Sequence, residues 1–360
     1  MTRRAATLVA AALLAALASL AVACNHAPAL QGARVRTEGA VAGLSAEKSL
    51  SERYPEGSRV VLAPKGGEVR ALSVGLAAAG SIAVSPDGGR VVFAGRDGAH
   101  WTIYESQVAQ NGAAHKLAGL EGSVVAGLDC GDPAYMGNSR VVFACTSTGP
   151  GPGNLYTVTP DGSLLERLTY GHGAAFDPHP LPDGRIRFTV AGGAQFTINP
   201  DGSELAKYFP DAGAAADATH DDVPLQSDVP PRGQITALDR KLTTGRLLCY
   251  DSGRGAPRAS FVAAETDAGE LGAASVDGDG SFFIEVPADQ PVRLRTLDAQ
   301  KQPIATCAWL WVRPGEVHGC FGCHEPHTAA PVNRLVAAVS HPASPLPAPA
   351  PTTEAQHGTP

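Results

Sequence analysis

Short apolar runs parted by Gly, Pro and Asp make up most of the chain, and three of them align. Residues 85–93 (SPDGGRVVF), 136–143 (MGNSRVVF) and 181–188 (LPDGRIRF) superimpose on Arg90, Arg140 and Arg185. A turn followed by a β-branched strand therefore returns at intervals of 50 and 45 residues, the kind of period that marks a repeat array. A second strand follows each turn: HWTIYES (100–106), GNLYTVT (153–159) and AQFTINP (194–200). Two units then carry a further Pro-Asp-Gly turn, in TPDGSLLERLT and NPDGSELAKYF, which predicts one more antiparallel strand. About four strands per unit of roughly 40–50 residues is the content of a β-propeller blade.

The Pro-Asp-Gly-x-Arg-Ile/Val-x-Phe turns resemble the TolB-like propeller blades of secreted bacterial proteins. Three units are countable, with half a unit at 58–74 (SRVVLAPKGGEVRALSV). Closed propellers have about four to eight blades. The repeats therefore predict either a fourth blade completed by later strands, or an open arc whose end is covered by the next domain or another subunit.

Apolar periodicity disappears over 210–232, where Ala, Asp and Pro gather, and this stretch reads as a linker. Short strands resume at 233–239, 245–253, 258–265, 280–288, 291–298 and 304–312, separated by Gly, Pro and Asp as in a small sandwich. In VRLRTL, Val292, Leu294 and Thr296 alternate with Arg293, Arg295 and Leu297, so one face is expected to be solvated. The fold class expected is all-β, a partial or small β-propeller over 58–209 followed by a β-sandwich-like domain over 233–335. Residues 24–57 read as an N-terminal linker, and 336–360, rich in Pro and Ala, as a disordered tail. A chain of 360 residues has room for two such cores.

The first 23 residues place Arg3 and Arg4 before an Ala/Leu run that ends in small residues, the layout of an export signal. A membrane anchor over 5–23 is the alternative, but its Ala-rich composition is weakly hydrophobic and no charged stop follows. Leu20-Ala21-Val22-Ala23-Cys24 resembles a bacterial lipobox, which implies lipidation at Cys24 and a periplasmic or cell-envelope location, with the outer membrane as the lipoprotein's expected site. Ala21 is a weaker fit there than an aliphatic residue, so plain secretion stays open. The formal charge of −7 and the lack of Lys/Arg clusters argue against a nucleic-acid partner.

Export changes the reading of the seven cysteines. Apart from Cys24, Cys320 and Cys323, the four that remain are Cys130, Cys145, Cys249 and Cys307, an even set that suggests disulfides in an oxidising space. Pairing Cys130 with Cys145 and Cys249 with Cys307 is the local choice among three connectivities, with buried thiols as the alternative.

Residues 320–324 read Cys-Phe-Gly-Cys-His. At this composition chance produces such a pentapeptide in about 0.4% of chains of this length, so it calls for a chemical reason. Two thiols three positions apart each form a thioether to a haem vinyl group, and the adjacent imidazole becomes the proximal iron ligand. This predicts one covalent haem c on Cys320, Cys323 and His324. A redox disulfide, or a zinc site completed by His324 with His318 or His327, is the rival reading. The Asp-Gly-Asp-Gly-Ser run at 277–281 resembles part of a calcium loop but lacks its closing Glu.

Residues 279–326, with their Gly-Ser-Phe strand, Val-Pro-Ala-Asp strand end, Leu-Asp turn, Pro-Gly-Glu and Cys-x-x-Cys-His-Glu, resemble the hydrazine synthase alpha subunit middle-domain family. The resemblance implies propeller blades paired with a haem module and a covalent haem at Cys320, Cys323 and His324. In the family's named enzyme a tyrosine stands four residues beyond the motif histidine, where this chain has Thr328.

Only 36 residues follow His324, too few for the helices of a free-standing cytochrome c, so upstream β-structure must supply the apolar pocket. Trp309, Trp311 and Phe321 are the expected walls, with ordinary core packing as the alternative for the tryptophans. Met136, His172 and His179 are the candidate distal ligands, an open sixth position being the other option. The expected role is electron transfer or a redox accessory with a protein redox partner. The alternatives are a haem enzyme of nitrogen or peroxide chemistry and a non-redox propeller binding protein.

Overall fold

In a computed structural model the residues described are 30, 32–109, 114–137, 139–146, 153–209, 220–233, 238–252, 258–320 and 335–346. Four four-stranded antiparallel sheets form the propeller portion among them. The second blade is Ala78–Val84, Arg90–Arg96, Trp101–Gln107 and His115–Lys116, and the third is Asp129–Tyr135, Val141–Thr146, Asn154–Val158 and Leu165–Arg167. The fourth is Ala175–Pro180, Ile186–Val190, Gln195–Ile198 and Ala206–Lys207. The turns repeat because their chemistry repeats. Asp87, Asp161, Asp183 and Asp201 each accept a hydrogen bond from the backbone N–H two residues on, at 2.9–3.1 Å, and the glycine after each takes the left-handed backbone such a turn needs.

The half unit at 58–74 is a complete first blade whose other strands come from two stretches that read as linkers. Arg34–Glu38, within 24–57, pairs along Arg59–Ala63, and Asp222–Pro224, within 210–232, pairs with Arg34–Glu38. Arg70–Ala71 completes the sheet. A strand that follows the fourth blade thus enters the first and ties the end of the array to its start, leaving less sheet edge exposed. Strands of three to five residues carry too weak a period to be read without their partners.

Each blade packs on the next through one apolar layer. Val60, Ile82 and Phe93 share the layer between blades one and two. Ile103, Phe143 and Tyr156 share that between two and three. Met136, Leu155, Ile186 and Phe188 share that between three and four, where Trp311 of the second domain joins them.

The second domain is a two-sheet sandwich. One sheet orders Val317–Cys320, Thr244–Cys249, Phe282–Pro287 and Ser344–Pro345; the other orders Gly269–Ser275, Phe261–Thr266, Arg293–Leu297 and Pro303–Thr306. The inner faces meet at Leu247, Phe282, Ile284, Val292 and Leu294. The expected alternation holds along Arg293–Thr296, but Leu297 is also buried, at a register shift between Thr296 and Leu297. Of the tail expected to be disordered from 336, residues 336–346 are ordered. Ala338 is fully buried, its N–H donates to Ser281 Oγ at 3.0 Å, and Ser344–Pro345 runs parallel to Phe282–Pro287. The acidic run at 277–281 anchors this return, with Asp279 accepting from Ala337 N–H at 2.9 Å.

Candidate cofactor site at the end of the second domain

Val317–Cys320 lies on the edge of its sheet, parallel to Thr244–Cys249, and ends with Cys320 in register with Cys249. Cys249 is in turn in register with Phe282 on the next strand. Cys320 is half-buried and, with Cys307 and Leu310, packs on the sandwich core. Phe321, Cys323, His324, His327 and Thr328, like Cys24, lie outside the described residues. Cys130 and Cys145, opposite one another in blade three, form a disulfide. Cys249 and Cys307 are not joined by one: the first sits in a central strand of one sheet, the second just beyond the edge strand of the other.

The two tryptophans sit at the seam between the domains. Trp311 is buried against blade four, its Nε1–H donating to Gly202 O at 3.1 Å. Trp309 packs against His172 with centroids 4.3 Å apart and ring planes tilted by 45°, and the Arg293 guanidinium lies 4.8 Å from its ring centre. His172 also contacts Asp267 through Nε2 at 2.8 Å. Met136 is buried between blades three and four and its Sδ accepts from Thr157 Oγ1 at 3.5 Å. His179 is exposed on the first strand of blade four, in register with Arg187. The structure therefore gathers Trp309 and His172, and distributes Met136 and His179 elsewhere.

A polar cluster that sequence reasoning missed lies where the first strands of the blades converge. Ser81, Asp132 and Asp177 all take left-handed backbone, at register shifts in those strands. The buried Asp132 accepts from Arg53 Nη1 at 2.8 Å and from Ser81 Oγ at 2.9 Å. Arg53 Nη2 donates to Tyr54 Oη at 2.9 Å, and His220 bonds Asp177 at 2.6 Å. Burial pushes the Asp132 carboxyl up, but the charges of Arg53 and His220 outweigh it and hold the group below the usual range. Burial pushes His220 down, yet its bond to Asp177 and the Asp132 charge leave it above 6.5. Arg53 arrives on the short helix Leu50–Arg53, whose Ser49 and Glu52 form a capping box. Gly80 makes room for it: a Cβ there would lie 2.3 Å from the Tyr54 ring. The signal was present as Gly80-Ser81, Gly131-Asp132 and Phe176-Asp177, each just ahead of a repeat turn.

Ionic contacts cross the seam beside the motif strand. Glu166 of blade three receives Arg313 Nη2 at 2.8 Å and Arg240 Nη1 at 2.6 Å, and Arg313 Nη1 also reaches Asp289 at 2.9 Å. Glu316 accepts from the backbone N–H groups of Arg313 and Glu204, at 2.6 and 2.8 Å. His318 Nδ1 stands 3.3 Å from the same carboxylate.

Residues 236–325 match the model of the hydrazine synthase alpha subunit middle domain. The structure superposes on hydrazine synthase from Kuenenia stuttgartiensis with a TM-score of 0.67 at 14% identity, covering 86% of this chain and 71% of that one. Putative TolB from Agrobacterium tumefaciens aligns at 23% identity with a TM-score of 0.35, over 42% of this chain and 56% of its own. TolB from Acinetobacter baumannii aligns at 13% identity with a TM-score of 0.34, over 79% and 54%. No curated protein matches the chain in sequence. The chain shares its fold with hydrazine synthase, and its residues 236–325 are similar to the hydrazine synthase alpha subunit middle domain.

Proposed function

We propose that the chain is an exported, lipid-anchored c-type cytochrome-like protein that carries one haem on Cys320, Cys323 and His324 and acts in electron transfer or as a redox accessory. The observation that carries this reading is the placement of Cys320 at the end of an edge strand, half-buried on an apolar core, with Cys-x-x-Cys-His beginning at that point. A thioether-linked macrocycle needs such an arrangement: one sulfur fixed by backbone pairing and an apolar wall beside it. The donor set fits the group, since two thiols and an imidazole at this spacing match covalent haem. When bound, the haem supplies a one-electron iron couple. Cys320 would hold the group through one thioether, and the apolar core beside it would keep water away. His172 is held by Trp309 and Asp267, so it would serve as a further ligand only on release from both. The blades offer a surface for a redox partner protein.

A second reading, a haem enzyme of nitrogen or peroxide chemistry, draws on the match of residues 236–325 to a hydrazine synthase domain. Co-expression of the mature chain with a cytochrome c maturation system tests both. The expected outcome is a haem-sized gain in denatured mass and a reduced c-type absorption spectrum, each lost in Cys320→Ala and Cys323→Ala. Colourless, unmodified protein would sink the haem reading. A spectrum that responds to added ligands favours the enzyme, and an unresponsive one favours electron transfer.

A further inference from the structure

We propose that Glu204, Glu316 and His318 form a site for a divalent cation of the zinc class at the seam between blade four and the second domain. Their ligand atoms all lie within 4.8 Å of one another, close to the roughly 3–4 Å between donors on one tetrahedral ion with bonds of about 2.0–2.2 Å. Glu316 and His318 are 6% and 8% exposed and form the floor, while Glu204 faces solvent and leaves an entry side. Among the described residues, the contact of Nδ1 with Glu316 is the one hydrogen bond of the His318 side chain, so the buried imidazole keeps a nitrogen for an ion. Glu316 is already aimed, because two backbone N–H groups fix its oxygens, as the outer contacts of metal ligands do.

The electrostatics agree. The Glu204 and Glu316 carboxylates come close enough around His318 for their charges to repel. A cation between the two carboxylates relieves that repulsion. One imidazole with two carboxylates and one open position suits zinc, whereas calcium takes about six or more oxygens. The donor set differs from one that joins His318 to the cysteine pair, since it needs neither thiol. Glu204 lies in the turn after Gln195–Ile198, and His318 lies two residues before Cys320, so a bound ion clamps blade four to the strand that carries the haem motif.

The mature chain, made without a polyhistidine tag, is stripped with a chelator, given zinc chloride, dialysed, and assayed for bound zinc and for Tm. One zinc per chain and a raised Tm are expected, with zinc affinity at least about tenfold weaker in Glu204→Gln and in His318→Gln. The Cys320→Ala/Cys323→Ala double variant is expected to keep its zinc, which separates this site from the haem reading. Failure to bind zinc, equal binding by wild type and the surface variant Glu204→Gln, or loss of zinc in the cysteine double variant overturns the site.

Discussion

Arg313 of the second domain and Glu166 of the third blade meet at 2.8 Å with both side chains almost fully buried. Two arginines besides Arg313 approach Glu166, Arg240 at 2.6 Å and Arg140 at 3.6 Å, so several cations share one carboxylate. Removing one member of a buried set leaves charge without compensation, which costs more than the set contributes relative to an apolar replacement. Glu166→Ala is therefore expected to destabilise the mature chain by about 3–5 kcal/mol in urea unfolding. A loss below about 1 kcal/mol would show that water already compensates these arginines.

The tryptophans are expected to separate in the same assay. Trp311 is buried and hydrogen-bonded to blade four, so Trp311→Ala should cost about 3–5 kcal/mol. Trp309 contributes a tilted ring contact with His172 at a partly exposed position, and Trp309→Ala should cost about 1 kcal/mol. Equal costs would refute this division of labour.

The disulfide Cys130–Cys145 closes a short loop, with a sequence separation of 15. In the chain-entropy account a loop of that size is worth about 3 kcal/mol. Reduction with dithiothreitol, or the double change Cys130→Ala/Cys145→Ala, should lower Tm accordingly. A Tm unmoved by either would mean that the layer between blades two and three holds blade three together without the bond.

His220 gives the fold a dependence on pH. Its folded pKa lies above 6.5, so protonated His220 contributes stability that is fully present below that value and is lost as pH rises through the raised pKa. Unfolding free energy should fall as pH rises above about 6.5, by an amount absent in His220→Gln. Parallel pH profiles for the two proteins would remove His220 from the account.

Much of the fold was legible as local chemistry. The Pro-Asp-Gly turns announced three blades because Asp side chain and left-handed Gly act within a few residues. The Cys-x-x-Cys-His spacing of Cys320, Cys323 and His324 is read from the sequence alone and needs no partner strand. The first blade was half hidden, since Asp222–Pro224 is too short to show a period and is defined only by pairing with Arg34–Glu38. The tail at 335–346 was hidden likewise: Ala338 is buried because Ser281 and Asp279 offer hydrogen bonds to its segment, and composition says nothing of a receiving edge.

The primary structure by itself determined the β-repeats, the turn residues and the cysteine-histidine motif, because each depends on neighbours a few positions away. Only the tertiary structure decided that Asp132 meets Arg53, that Trp311 joins blade four, and that Glu204 meets His318. The first two contacts join residues 79 and 109 positions apart, the third joins residues more distant still, and all are set by how blades and sheets stack. A side chain's charge or size is visible in the sequence; the partner that balances it is chosen by packing.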